Sequence, residues 1–285
     1  MEFAMKRMNR NMLLAGLGAT GLFLFTPSVA AQTGIYVLNG AAEAEFAGTV
    51  NVRTSDIYIN SVNAKAFDVF GDASVKARSA NVVGGITNAD NFAGTLNLGV
   101  AATPDPLASL PTPTWDPAAD LGTVDFVNGD WRLSPGFYSG GISLSGSVRV
   151  FLDPGLYILD GEGLRVTAGA EIRGIGVTLF ITGEGSVTMT GTGTVDLSPT
   201  FGGVYDDILL FVDRANASEV NFSGGSEFRT NGKMYAPSSR VVIIGNSDTG
   251  GNPRFGFVLI CDTLRLSGTG ELDFLRLPSP SECFD

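Results

Sequence analysis

The sequence predicts an all-β chain: a right-handed parallel β-helix, or β-solenoid, with coils of about 22 residues behind an N-terminal signal peptide. Three observations carry this. Glycine takes 38 of 285 positions, about twice its usual share of roughly 7%. Nine of these glycines, Gly48, Gly71, Gly94, Gly146, Gly169, Gly191, Gly224, Gly245 and Gly268, each sit between two short β-type runs, at spacings of 23, 23, 52, 23, 22, 33, 21 and 23 residues. Around them apolar and polar residues alternate, as in Ile142-Ser143-Leu144-Ser145 and Val187-Thr188-Met189-Thr190. That is the period-two pattern of a half-buried strand. No later segment carries a convincing helical period.

A single coil of this length cannot bury its inward face. Stacking coils at the ~4.8 Å inter-strand spacing buries a continuous apolar column, and about nine coils would make a rod of roughly 40 Å. Parallel crossovers are almost always right-handed, which sets the expected hand. An antiparallel sandwich or barrel is the alternative for a chain of short strands, but sandwiches lack a regular period.

The elements follow in order. Lys6, Arg7 and Arg10 precede an uncharged apolar run at 12–25 and then Pro27-Ser28-Val29-Ala30-Ala31. This is the layout of a secretory signal, with cleavage expected after Ala30 or Ala31. The run is shorter than the roughly 20 residues a membrane span needs. Residues 32–285 are expected to form one β-helix domain. Removing 1–31 takes away three bases and one acid and moves the formal charge from −11 to −13. The spacing of 52 holds an excursion at 101–130 with Pro104, Pro106, Pro111, Pro113 and Pro117. Proline lacks the ladder donor, so this segment must leave the sheet. It is expected to lie along the stack, pinned by Leu107, Leu110 and Trp115. The spacing of 33 holds a shorter loop at 198–207 before a strand at Ile208–Val212. In the tail at 277–285, Pro278 and Pro280 are expected to help cap one end.

The order of several short motifs resembles the glycine-rich β-helical region of TadG-like proteins, which are associated with Flp/Tad pilus assembly. They are Asp105-Pro106-Leu107 with Leu110-Pro111, Gly140-Gly141-Ile142, Pro154-Gly155-Leu156-Tyr157, Gly176-Val177-Thr178-Leu179, Asp207-Ile208-Leu209 with Asp213-Arg214, and Tyr235-Ala236-Pro237-Ser238-Ser239. The resemblance runs from about residue 55 to about 275 and implies a pilus-associated or surface role. The chain departs from that family in having no von Willebrand A-type metal-adhesion motif. It also has Ser139 where relatives often carry a cysteine.

Composition excludes several chemistries. With no histidine in the chain, Ser-His-Asp and Cys-His nucleophile systems and histidine-ligated zinc are ruled out. A pI near 4.4 argues against nucleic acid as a partner. No cofactor or metal site is expected. Polysaccharide enzymes use clustered carboxylates, sometimes with calcium and an arginine; the best candidates for these are the carboxylates of Asp206, Asp207 and Asp213 with the guanidinium of Arg214, and after them Asp160, Glu162 and Glu171. Asp206 and Asp207 point to opposite faces if a strand begins there, and turn acids of this kind are usually solvated. The run Thr188, Thr190, Thr192, Thr194 reads as ordinary strand composition. Gly16 to Gly21 match a dinucleotide-loop spacing but lie inside the signal, with no strand before them. Cys261 and Cys283 are either a disulfide pinning the C-terminus, or a small core residue and a free thiol.

The expected function is that of a non-enzymatic exported structural or adhesion protein in the periplasm, on the outer surface or outside the cell. Its partners would be further copies of itself, pilus or cell-surface components, or a polysaccharide. The alternative is a polysaccharide-binding or polysaccharide-cleaving β-helix.

Overall fold

The computed structural model describes residues 33–224, 227–246 and 258–274. Ala30, Ala31, Cys283 and the 277–285 tail lie outside the described residues. The protein is all-β, as expected, and the strand pairings among the described residues are parallel. Two 3₁₀ turns, Ala89–Asn91 and Pro117–Ala119, interrupt the strands.

The chain runs in circuits. The first comprises β1 (Gly34–Val37), β2 (Ala44–Phe46) and β3 (Thr49–Arg53). The second comprises β4 (Asp56–Ile59), β5 (Phe67–Val69) and the start of β6 (Ser74–Val82). The third takes the rest of β6, then β7 (Ile86–Thr87) and β8 (Phe92–Leu98). After the proline-rich segment come β9 (Val124–Phe126) and β10 (Asp130–Leu133), then β11 (Gly136–Tyr138), β12 (Ile142–Leu144) and β13 (Arg149–Leu152). They are followed by β14 (Gly155–Leu159), β15 (Gly163–Val166), β16 (Glu171–Gly174), β17 (Val177–Ile181), β18 (Ser186–Gly191) and β19 (Thr194–Leu197). The last are β20 (Ile208–Val212), β21 (Val220–Gly224), β22 (Glu227–Thr230), β23 (Lys233–Asn246) and β24 (Val258–Asp273).

Each circuit lays its strands on those of the next, so three ladders form. The first runs β8–β6–β4–β1–β24–β23–β20–β17–β14–β11. The second runs from β7 through β5, β2, β24, β23, β21, β18, β15 and β12 to β9. The third holds β8, β6, β3 and β24, and beyond them the five-stranded sheet β22–β19–β16–β13–β10.

Spatial order therefore differs from chain order. The last strand, β24, lies between β23 and the first circuit: Gly34 pairs with Val258, Glu45 with Arg265 and Thr49 with Thr269. The chain starts mid-stack, climbs three circuits to one end, returns along the side to the far end, and builds back to its own beginning. Side chains stitch this seam: Asn39 donates to Asp262 at 3.1 Å, Arg265 pairs with Glu45 at 3.3 Å, and Arg53 with Glu271 at 3.2 Å.

Most of the spaced glycines form a column where the second ladder turns into the third; at Gly169 the column place is held by its neighbour Ala168. Gly191, Gly224, Gly245 and Gly268 are successive partners in register. The column continues to Gly48 and Gly71, since a Cβ at Gly48 would meet Gly268 O and one at Gly71 would meet Gly48 O. A Cβ at Gly268 would fall 2.0 Å from Gly245 O, at a φ of 109°. Only glycine tolerates that combination. Gly94 departs from the expectation: it lies inside β8, at the turn from the third ladder to the first, and not in this column. In its circuit Asn88 and Asn91 close the corner, donating to Val69 O and Gly71 O.

Inward side chains of all three ladders make one apolar column, with Ile35, Ile57, Phe46, Val52, Leu144, Leu179 and Ile243 among its buried members. The first ladder is also buried outside: β17 and β20 are covered at all five positions.

Candidate functional site

The outward side chains of the first ladder stack as Tyr58, Tyr36, Ile260, Tyr235, Phe211, Phe180, Ile158 and Phe137, each in register with the next. The rings touch: Tyr36 and Tyr58 stack at 4.6 Å, and Phe211 lies 5.1 Å from both Phe180 and Tyr235. Left open, this stripe would be a large aromatic patch.

The proline-rich segment covers it as a strap. Leu107, Leu110 and Trp115 pack on the stripe, with Trp115 at 5.5 Å from Phe137 and 6.1 Å from Phe180. Asn60 holds the start of the strap, exchanging hydrogen bonds with Thr103 at 2.9 and 2.8 Å. Arg214 clamps its middle. One Nη donates to Leu107 O and Leu110 O, both at 2.8 Å, and Nε donates to the Tyr235 hydroxyl at 2.9 Å. The guanidinium also lies over the Phe211 and Tyr235 rings, at 5.3 and 5.1 Å. Cation–π contact adds to the fork of donors here. The Tyr235 hydroxyl in turn donates to Asp105 at 2.7 Å. Burial, then the hydrogen bond to Asp105, pushes the Tyr235 pKa up, so the phenol stays protonated and acts as a donor. At the far end Asp120 accepts from the Ser139 hydroxyl and from the Gly122 and Ser139 amides, which together hold its carboxyl below the usual range.

The motifs at Asp105, Leu107, Leu110, Arg214 and Tyr235, spread over 130 residues, thus meet in one clamp. Arg214, a sequence candidate for chemistry, has its Nε and one Nη engaged in this clamp. Sequence reading did not single out Asp105, Tyr235, Asn60 or Thr103 as partners. Their signal was only that Asp105 falls in the proline-rich segment and Tyr235 in the Tyr235-Ala236-Pro237 motif, where a proline stands inside a strand.

The remaining carboxylates are dispersed. Asp206 accepts from Gly202 N at 2.6 Å, Asp213 from Ala215 N at 2.8 Å and Asp160 from Gly161 N at 2.8 Å, all turn bonds. Asp207 pairs with Lys233 at 3.1 Å, and Glu171 lies 3.6 Å from Arg149 and Arg173. Strand β20 begins at Ile208, so Asp206 and Asp207 belong to the turn before it, with Asp207 at a φ of 64°. Glu162 is exposed on another turn. Thr188 is flanked on its ladder by Arg165 and Asn221, which breaks any threonine array. Cys261 is fully buried among the inner residues, its Sγ 3.7 Å from Tyr36 O, and burial pushes the thiol pKa up. Among the described residues no group of three acidic, histidine or cysteine side chains is placed to hold a metal ion, and no helix is long and apolar enough to cross a membrane.

Comparison of the chain with family models, with curated proteins and with solved structures gives no match.

Proposed function

We propose that the stacked circuits are a right-handed parallel β-helix, and that the protein is exported and serves a non-enzymatic structural or adhesive role at the cell surface, in association with Tad-type pilus assembly or the surface matrix. One observation carries the reading: the aromatic stripe is covered by the chain's own strap, and Arg214 is engaged in holding it. Arg214, Tyr235 and Asp105 form a clamp. Asp206, Asp207 and Asp213 serve turns and an ion pair. The resemblance of the motif order to TadG-like proteins is in keeping with that role; of its motifs, those holding Asp105, Leu107, Leu110, Arg214 and Tyr235 meet in the clamp. The test is deletion of the coding sequence in its host. Surface attachment is expected to fall and to return with the full chain. New unsaturated ends after incubating the purified protein with polyuronates, with or without calcium, would overturn the non-enzymatic role.

One place favours polysaccharide binding as a second reading. On the five-stranded sheet Phe151 is 45% exposed and sits in register between Arg132 and Arg173. The three line an open groove of about 360 Å³ with Pro154, Ile175 and Asp196. An aromatic face between two guanidinium groups suits an acidic sugar. Loss of uronate-polymer binding in Phe151→Ala would support this reading.

A further inference from the structure

Both ends of the stack are built from internal segments. Among the described residues, one end is β7 and β8, whose pairings run only to β5 and β6; the other is β9 and β10, paired only to β12 and β13. The partly buried members of the inner apolar column are Ile86, Phe92 and Leu96 at the first end and Phe126 at the second. Among the described residues the column is thus open at both ends. Leu98, in register with buried Val82, is 47% exposed; Trp131, in register with buried Val150 and stacked on Phe126 at 4.2 Å, is 46% exposed. The β8 strand, Phe92–Leu98, carries no charge and no proline. Natural sheets guard free edges with those residues.

The two ends are complementary and not alike. The chain advances in one direction along the stack, so β7 and β8 offer one edge of the ladders while β9 and β10 offer the opposite edge. Strands of both run the same way around the circuit. We propose that the protein associates end to end with copies of itself, the 86–98 end of one seated on the 120–133 end of the next. This rests on the stacked reading of the fold, and not on export or adhesion. Each ladder then continues across the joint in parallel. On the second ladder Ile86 meets Val124, and on the third Phe92 meets Trp131. The contact is heterologous and does not close on itself, so it makes open filaments whose axis is the stack axis.

The test uses the mature chain in sedimentation and negative-stain microscopy over a concentration series. Wild type is expected to grow in whole multiples of the protomer mass, as thin unbranched particles. Leu98→Glu and Trp131→Glu each destroy one end, at positions exposed enough to leave the fold intact by circular dichroism, and each alone is expected to be monomeric. Mixed together they retain one good end of each kind and are expected to give dimers and nothing longer. A wild type that stays monomeric at every concentration overturns the proposal, as does association that survives both substitutions. An elongated monomer in solution scattering supports the stacked fold whichever way association falls. A compact one would sink the fold reading itself.

Discussion

Ala168 holds a φ of 57°, in the left-handed region, at the corner where its neighbours along the stack use glycine. A Cβ added at Gly191 would fall 2.3 Å from Ala168 O, which places Ala168 in the same column. An alanine there costs about 1–2 kcal/mol against glycine in conformational strain, partly offset by the greater freedom of glycine in the unfolded chain. Ala168→Gly is expected to stabilise the protein by about 1 kcal/mol, seen as a rise of roughly 2–4 °C in Tm. Gly224→Ala is expected to do the opposite by about 2 kcal/mol or more, because strain is joined by a clash: its Cβ would lie 2.6 Å from Gly191 O. Thermal unfolding of the two variants checks both signs. At this scale the sequence was legible through glycine spacing. It misled at Gly94, where a 23-residue offset from Gly71 is coincidence, because the third circuit is shorter: Phe92 pairs with Val75 and Leu96 with Ala80.

The strap shows why some strands carry continuous apolar runs while others alternate. In β17 and β20 all five residues are buried, inside by the apolar column and outside by the strap. In β13, on the third ladder, burial alternates and the outer face meets water. The proline content of 101–119 was enough to remove that segment from the sheet, and Leu107, Leu110 and Trp115 do pack on the stack. Sequence could not show which polar residues hold it, since Asp105 lies 130 residues from Tyr235. Arg214→Lys keeps the charge but loses the fork that reaches two carbonyls and a hydroxyl. Hydrogen bonds to a charged group are worth roughly 1.5–3 kcal/mol, so the strap should loosen while the ladders persist. In a Trp131→Phe background, Trp115 emission is expected to shift to the red and proteolysis within 101–119 to accelerate. Unchanged Trp115 emission would mean that apolar contact alone holds the strap.

Over the whole molecule, the position of β24 decides the architecture. The first circuit is joined to the rest of the stack through β24, so a nearly continuous stack is built from a chain that is not in stack order. A permuted chain should restore that order. With 34–98 placed after 274 through a short glycine linker, and the new start within the strap, the protein is expected to keep its β-type circular dichroism and cooperative unfolding. Two separate transitions would show that the 34–98 circuits are not in fact continuous with β24. The sequence by itself determined the all-β class, the repeated corner and the strand that begins at Ile208, because these depend on local pattern: alternation, proline and glycine within a few residues. Only the tertiary structure decided that the last strand meets the first and that the strap is clamped by Arg214. Those contacts join residues far apart in the chain, where register is set by which apolar faces remain uncovered once every circuit has stacked.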